Sequence, residues 1–326
     1  MGHYYTSVPK VKIVWSRSLP ITNKKPLVLH MGLQKTGTSS IQGMFNMAKT
    51  TLGQNGFYYP DLPISKDHSK VWTSPYRHNI IAGVYADFMS AFEKMDPNEE
   101  DVFWAELQNN PLCPILSAEE FSRQRNHTKL GKRLEPFDVH VVIYLRRQDR
   151  FAESLFNQRN KLLIEKCDDR ILDDDSLTEQ ALFRFIKNEN YTMVMNFKRL
   201  LENVELQIKP TKITVRTFDR EQMVGGDVCR DIWDTLGLPL ECFTDTPPEA
   251  NGSVPNEVIM KLIEAKNTIG LSGARDALRA ASDNMRSNPA QKGSYKILSD
   301  KTRAELLRQY REINDFVKTK YGVSLS

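Results

Sequence analysis

Residues 27–45 have the sequence LVLHMGLQKTGTSSIQGMF, and this stretch decides the fold. The apolar run of residues 27–31 follows a proline and stops at Gly32, which predicts a buried strand. A short loop leads to Gly37, and residues 40–45 have helical spacing. A strand, a glycine-bounded loop and a helix in this order direct backbone N–H groups and the positive helix end toward an anion. The stretch therefore predicts an anion-binding loop.

The lysine of this loop has an unusual position. Gly32 and Gly37 are spaced as in the phosphate loop of nucleoside triphosphatases, where a lysine directly follows the second glycine. Here Thr38 follows Gly37, and the lysine is Lys35, at the crest of the loop. This position favours contact with a single phosphate and its leaving-group oxygen. The alternative is that the loop only caps the helix behind it.

A second anion-binding pattern follows the strongest strand pattern of the chain, VHVVIYL at residues 139–145. Arg146 leaves the end of this strand, and Ser154 lies about two turns into the next helix. A guanidinium offers a planar fork for phosphate, and the serine hydroxyl is another donor. The alternative is a solvated helix start with salt bridges among its charged residues. Two phosphate sites at neighbouring strand ends would suit a ligand with two distant phosphates.

The remaining apolar patterns alternate between strands and helices. Strands are predicted at 113–117 and 212–218, with a helix starting at Ala118. Further helices are predicted at 79–95, 148–166, 178–203, 219–237 and from 254 onward. This order predicts an α/β fold: a P-loop-type, doubly wound, mostly parallel sheet flanked by helices, with a helical C-terminal portion. We expect a flexible N-terminal arm at 1–25 and a single domain at 26–326.

The overall composition excludes several classes of function. The net charge of +4 comes without a sustained basic stripe or a nucleic-acid-binding motif, so no nucleic-acid partner is expected. The four cysteines form no CxxC pair, and no metal-ligand spacing is present, so neither a disulfide framework nor a metal is expected. The N-terminus lacks the apolar core of a signal peptide, and no apolar run could span a membrane. The expected location is cytoplasmic.

The two motifs together give a family resemblance. The loop GLQKTGTSSIQ resembles the 5′-phosphosulfate loop of sulfotransferases that use 3′-phosphoadenosine-5′-phosphosulfate (PAPS), particularly bacterial members acting on carbohydrates. The segment YLRRQDRFAESLFNQ resembles their 3′-phosphate motif, and the Arg-to-Ser spacing is preserved. The resemblance implies transfer of a sulfuryl group from PAPS to an acceptor hydroxyl, with carbohydrate as the expected acceptor, or to an amine, without a metal.

The resemblance also implies roles for individual residues. Lys35 would contact the bridge between phosphate and sulfate, Arg146 and Ser154 would hold the 3′-phosphate, and Phe218 would touch the adenine. The residues that would cradle the 5′-phosphosulfate are Thr36, Gly37, Thr38, Ser39 and Ser40. Lys292 and Gly293 would add to the hold on the 3′-phosphate.

Sulfuryl transfer also calls for a base that takes the acceptor proton. Glu119, in a Ser-x-Glu pattern typical of the family, is one candidate, and its neighbour Glu120 is the alternative. His78 is another candidate, because histidine titrates near neutrality. For each of them a purely structural role is the competing interpretation.

Acceptor contacts are less sharply defined by the sequence. Four aromatic residues are candidates for stacking on a sugar ring or equally for packing: Tyr58, Tyr59, Trp72 and Tyr76. Three basic residues could face an anionic acceptor, although a solvated helix face is favoured for them: Lys161, Lys166 and Arg170.

Two other functions compete with sulfuryl transfer. A P-loop kinase or NTPase needs a lysine after Gly37 and an aspartate at a strand end, and this chain has Thr38 and Arg146 there. A non-catalytic nucleotide-binding module would use the same loops, so the sequence separates it poorly from an enzyme.

Overall fold

The computed structural model describes residues 24–62, 78–85, 95–123, 126–166, 178–187, 194–243, 255–287 and 296–325. The strands are β1 Lys25–Met31, β2 Phe57–Tyr58, β3 Cys113–Ala118, β4 Phe137–Leu145 and β5 Lys212–Thr217. The helices as far as the end of β4 are α1 Thr38–Met47, α2 Lys49–Gln54, α3 Asn79–Tyr85, α4 Pro97–Asn109 and α5 Thr128–Leu134. The later helices are α6 Gln148–Glu165, α7 Glu179–Ile186, α8 Phe197–Asn203, α9 Val228–Thr235, α10 Asn256–Ser287, α11 Asp300–Gln309 and α12 Arg311–Tyr321.

The strands form one sheet in the order β2-β3-β1-β4-β5, and every pairing in it is parallel. The first strand lies in the middle, with β3 on one side and β4 on the other. Strand order therefore reverses beside β1, which is the point where open α/β sheets bind ligands, at the carboxyl ends of the strands. The predicted α/β fold, with its doubly wound parallel sheet flanked by helices, is confirmed for the described residues.

Alternation along the central strands supplies apolar side chains to both faces of the sheet. Leu27 and Leu29 of β1 belong to a large cluster that includes Phe151 and Phe156 of α6. The intervening Val28 belongs to a second cluster, which includes residues of α1 and α9. Because both faces are covered, β1 and β4 are apolar at nearly every position, as buried parallel strands require.

A buried ion-pair network joins the start of α6 to the C-terminal helices. Asp149 is fully buried and accepts hydrogen bonds from Arg147 and Arg303. Arg303, on α11, also donates to both carboxylate oxygens of Glu153 at 3.1 Å. Glu153 in turn accepts from the main-chain N–H groups of Ile297 and Leu298 at 2.8 and 3.0 Å. This network anchors the part of α6 that carries Ser154.

Two predicted helices differ from the structure. The helix expected at 219–237 begins only at Val228. It cannot begin earlier because Gly225 and Gly226 have positive φ angles. Asp227 then caps the helix by accepting hydrogen bonds from the N–H groups of Cys229 and Arg230. The helix expected to start at Ala118 is absent: β3 extends through Ala118 and residues 119–123 form turns. Glu119 therefore lies in a turn at the end of the sheet.

Other predicted helix and domain boundaries agree with the structure or fall outside the described residues. The 178–203 region contains two helices, α7 and α8, and α9 stops before Gly237, which has φ 72°. Strand β1 begins at Lys25, one residue before the expected domain boundary. Residues 1–23 of the expected arm, and residues 86–94 of the expected 79–95 helix, lie outside the described residues.

Candidate active site

Three adjacent strands end at the same edge of the sheet, and the loops that follow them are joined by hydrogen bonds. The N–H of Gly32, after β1, donates to the carbonyl of Ala118, at the end of β3, at 3.0 Å. The hydroxyl of Ser122 donates to the carbonyl of Gly32 at 2.7 Å. The loop after β4 is joined to the loop after β1 by Arg146, which donates to the Lys35 carbonyl. The loops that carry the predicted site residues therefore lie together at the carboxyl ends of neighbouring strands.

Internal hydrogen bonds shape the loop after β1. The buried hydroxyls of Thr36 and Thr38 donate to the carbonyl of Leu33 at 2.7 and 3.3 Å. Gly32 is required here because a Cβ atom on it would lie 2.3 Å from Thr38 Oγ1. Both threonine hydroxyls therefore donate within the loop and hold it together. Ser39 and Ser40, in the first turn of α1, are half-buried.

Gly37 turns the chain into α1 and brings the loop close to Phe218. Its φ is 77°, in the left-handed region that favours glycine. A Cβ atom at this position would lie 2.8 Å from Val228 Cγ1 and 3.2 Å from a ring carbon of Phe218. No side chain of the described residues caps α1. The helix therefore presents its first N–H groups at the same edge as Lys35.

Lys35 occupies the crest in a strained conformation. Its φ is 62°, which is uncommon for a residue with a Cβ atom, and its carbonyl accepts a hydrogen bond from Arg146 Nη1 at 2.9 Å. Burial, followed by the charges of Arg146 and Lys161, lowers the pKa of the Lys35 ammonium to about 8, with Glu119 acting in the opposite direction. A desolvated ammonium among other cations is well suited to an anion that would relieve the repulsion.

Arg146 links the two motifs. The same Nη1 that donates to Lys35 is 3.3 Å from Ser154 Oγ, and the guanidinium carbon lies 5.5 Å from the centre of the Phe218 ring. Burial, with a smaller contribution from Arg150, lowers the pKa of Arg146 to about 10, so the group stays cationic at neutral pH. Arg146 thus contacts the Lys35 carbonyl, the Ser154 hydroxyl and the Phe218 ring.

The candidate bases have different surroundings. Glu119 is half-buried beside Lys35, close enough to influence its ammonium. Glu120 is buried, its pKa is raised by that burial, and its Oε2 has no hydrogen-bond partner among the described residues. Of these two carboxylates, that of Glu119 is the one that interacts electrostatically with the Lys35 ammonium.

His78 is a structural residue in this arrangement, which corrects its sequence-based candidacy as a base. Its side chain is completely buried, its Nε2 lies 2.8 Å from the carbonyl of Pro60, and its Nδ1 accepts from the N–H of Ser117 at 2.9 Å. Burial lowers its pKa to about 4. With both ring nitrogens bonded to the main chain, His78 has no nitrogen left for an acceptor proton.

Some residues predicted to contact the acceptor or donor pack elsewhere, and others lie outside the described residues. Tyr59 is buried against Phe45 and His78, so it has a packing role. The Tyr58 hydroxyl is 3.5 Å from Glu106. Trp72, Tyr76, Arg170, Lys292 and Gly293 lie outside the described residues.

Lys161, one of the basic residues that the sequence analysis named for an anionic acceptor, is half-buried on α6 and not on the solvated helix face that was favoured for it. Its charge contributes to the lowered pKa of the Lys35 ammonium.

The described residues contain no group of three or more His, Cys, Asp or Glu side chains arranged to hold a metal ion. A helix long and apolar enough to cross a membrane is likewise not found in the described ranges.

The fold and the site together define an α/β protein with a candidate anion-binding loop at the switch point of a parallel sheet. A sulfotransferase from Alicyclobacillus acidocaldarius is among the solved structures similar to this chain, with 14% identity, 79% of this chain and 96% of that chain covered, and a TM-score of 0.42. No family model matches the chain, and no curated protein matches it.

Proposed function

We propose that this protein is a sulfotransferase that moves a sulfuryl group from PAPS to an acceptor hydroxyl, with carbohydrate as the expected acceptor, or to an amine. The observation that supports this function most strongly is the double contact of Arg146, which donates to the Lys35 carbonyl and lies within hydrogen-bond distance of Ser154. Because of it, the two candidate anion-binding motifs lie next to each other. A ligand with two separated phosphates and an aromatic base would contact both motifs and Phe218.

The residues fit this donor as follows. The main-chain N–H groups of the loop from Gly32 to Gly37 and the start of α1 would hold the 5′-phosphosulfate. Arg146 and Ser154 would hold the 3′-phosphate, and Phe218 would contact the adenine. Thr36 and Thr38 support the loop through the Leu33 carbonyl, while Ser39 and Ser40 remain as hydroxyl donors. Lys292 and Gly293 stay as proposed contributors to the 3′-phosphate site.

The proposed reaction is an in-line displacement at sulfur. The acceptor oxygen or nitrogen forms a bond to sulfur while the bond from sulfur to the phosphate oxygen breaks, and the leaving product is 3′,5′-bisphosphoadenosine (PAP). The Lys35 ammonium would stabilise the negative charge that grows on the bridging oxygen. Glu119 would take the acceptor proton. We also propose that residues 26–326 form one domain, since the larger apolar cluster includes residues from Leu27 to Leu325.

Titration calorimetry and a transfer assay test this proposal against its rivals. We expect PAP to bind without Mg²⁺ and more tightly than ATP with Mg²⁺, and we expect labelled sulfuryl transfer from PAPS to members of a panel of glycans, phenols and amines. Preferential binding of ATP with Mg²⁺, together with phosphoryl transfer, would identify a kinase or NTPase. Tight PAP binding without transfer to any acceptor would identify a non-catalytic nucleotide-binding module.

The base is tested by paired substitutions of adjacent carboxylates. Glu119→Gln should lower kcat by about 10²- to 10⁴-fold, the usual contribution of a general base, and leave PAP affinity unchanged. Glu120→Gln is the matched control and should retain turnover. The reverse result would move the role of base to Glu120.

A further inference from the structure

The turn that follows β3 is fixed to the loop that follows β1 at two points. One is the hydrogen bond from the Gly32 N–H to the Ala118 carbonyl at 3.0 Å. The other is the Ser122 hydroxyl, which lies 2.7 Å from the Gly32 carbonyl and 2.9 Å from the Glu119 carbonyl. Because a serine hydroxyl carries one hydrogen, the two carbonyls share it in a three-centre bond. A single buried side chain therefore joins the proposed donor loop to the main chain of the proposed base.

Other contacts already form this turn and hold it in the protein. The Ser122 N–H donates to the Glu119 carbonyl at 3.1 Å, which closes the turn through the main chain. Phe121, between them, is completely buried in the larger apolar cluster. The strand before the turn is held by His78, whose Nδ1 accepts from the Ser117 N–H at 2.9 Å. What the hydroxyl adds to these contacts is the connection to the loop after β1, so its role concerns the position of the turn relative to that loop.

This relative position matters for the proposed reaction. The loop would hold the phosphosulfate, and the Glu119 carboxylate would take the acceptor proton, so the sulfur and the base depend on two separate segments of the chain. A general base must lie within hydrogen-bond reach of its proton, roughly 2.6–3.2 Å. Misplacement by about 1 Å can lower a rate about 10²-fold. A bond between the two segments keeps the base aligned with the donor.

Resting on the sulfotransferase function proposed above, we propose that Ser122 is a positioning residue for the base. Its hydroxyl holds the turn of Glu119 against the donor loop, and it acts on the chemical step through Glu119. In this role Ser122 contacts neither the donor nor the acceptor. The donor keeps its own contacts, the N–H groups at the start of α1 and the side chain of Arg146, so donor affinity does not depend on Ser122.

Ser122→Ala tests this role through two separate measurements. The kcat at saturating PAPS should fall about 10- to 100-fold, because the base is no longer held in place, while calorimetry should show an unchanged PAP affinity. An unchanged kcat, or a PAP affinity that falls as much as kcat, overturns the proposal. If Ser122→Ala does not fold, Ser122→Cys takes its place, because cysteine has nearly the same shape and its thiol is only a weak donor.

Ser299→Ala is the matched control for a general loss of stability. The Ser299 hydroxyl caps α11 by accepting from the Thr302 N–H at 3.3 Å, so this serine also makes a hydrogen bond that alanine removes. We expect this variant to unfold at a lower urea concentration than the wild-type protein and to keep the wild-type kcat. A loss of kcat in Ser299→Ala as large as in Ser122→Ala would assign the effect to stability and refute the positioning role.

A double-mutant cycle separates positioning of the base from any other effect. If Ser122 acts through Glu119, Ser122→Ala has no further effect on kcat once Glu119→Gln has removed the base, so the double variant should match Glu119→Gln alone. If Ser122 acts through the donor loop, the two losses multiply, and that result refutes the proposal. A wild-type kcat in Glu119→Gln refutes it as well, because Ser122 then has no base to position.

Failure of the underlying function gives a different result. If the wild-type protein transfers no sulfuryl group to any acceptor of the panel, the sulfotransferase proposal fails, and the role of Ser122 fails with it. If the wild-type protein transfers the group and the two losses multiply, the role of Ser122 alone is refuted and the sulfotransferase function stands.

Discussion

The Arg146 guanidinium donates a hydrogen bond to the main-chain carbonyl of Lys35 at 2.9 Å. A side chain at the end of β4 thus supports the crest of the loop that follows β1. The crest needs such support because Lys35 has a φ of 62°, a conformation that residues with a Cβ atom seldom adopt. The two candidate anion-binding motifs are therefore mechanically connected.

This connection predicts that Arg146→Gln impairs catalysis as well as donor binding. We expect PAP affinity to fall by about 10- to 100-fold, the range for loss of charged hydrogen bonds, and kcat at saturating PAPS to fall too, since the Lys35 crest loses its support. Calorimetry and steady-state kinetics measure the two effects. Arg308→Gln is the control, because Arg308 lies on α11 and its ion pair with Glu305 is exposed. An unchanged kcat would show that the bond to the crest has no catalytic role.

The lowered pKa of Lys35 predicts a pH-dependent affinity for PAP. In the free protein the ammonium loses its proton near pH 8, whereas a bound anion favours the protonated form. Above pH 8, PAP affinity should therefore fall by up to about tenfold per pH unit, with proton uptake on binding. The phosphate groups do not contribute, because their second pKa is about 6. Calorimetry from pH 6.5 to 9.5 in two buffers measures this uptake, and Lys35→Arg should remove it. A flat profile in the wild-type protein contradicts the assignment.

The same shift predicts that Lys35→Met stabilises the free protein. The folded-state pKa, about 8, is below the ordinary 10.5, so the ammonium destabilises the fold at pH 7. Removing it should increase the free energy of unfolding by about 1–2 kcal/mol while abolishing transfer. Between pH 8 and 10.5 Lys35 binds more protons in the unfolded chain than in the folded one, so the stability difference between Lys35→Met and the wild-type protein should shrink as the pH rises. Urea unfolding at several pH values measures both effects. Lys166→Met serves as the exposed control; a destabilised Lys35→Met protein contradicts the prediction.

Gly37→Ala should cost more than the same change at Gly322. Both glycines have positive φ angles, 77° and 71°, so alanine brings a similar backbone penalty of about 1–2 kcal/mol at each. Only at Gly37 does the new methyl group also meet Val228 and Phe218, whereas the surroundings of Gly322 are open. We expect a further loss of about 1–3 kcal/mol and weaker PAP binding, measured by urea unfolding and calorimetry. Equal losses of unfolding free energy at the two sites would show that Phe218 and Val228 move aside without cost.

Arg303→Met should destabilise the protein strongly. Arg303 is 17% exposed and pairs with Asp149 and Glu153, which are 0% and 6% exposed, so its loss leaves buried negative charge. We expect a cost of about 3–5 kcal/mol, the usual effect of breaking a buried ion pair. Arg308→Met is the matched control on the same helix, because the pair of Arg308 with Glu305 is exposed and should contribute less than about 1 kcal/mol. Denaturant unfolding measures both. Equal small effects would mean that solvent screens the network.

Local patterns were sufficient for four of the five strands of the sheet, and the two-residue strand β2 was not predicted. The apolar run at Leu27 predicts a buried strand, and the glycines that follow predict the turn into α1, because both depend on neighbouring residues in the chain. The helix expected at 219–237 was wrong, since its apolar spacing concealed the break at Gly225 and Gly226. The positive φ angles of these glycines and the cap at Asp227 decide where α9 begins.

By itself, the sequence determined three features of the chain: which segments are apolar enough to be buried, where glycines allow the chain to turn, and which turns carry Lys35 and Arg146. Only the tertiary structure decided how those side chains are used. It bonded both nitrogens of His78 to the main chain and placed Arg146 against the loop crest. Contacts between residues as far apart as Lys35 and Arg146 depend on the packing of the sheet, which no local pattern encodes.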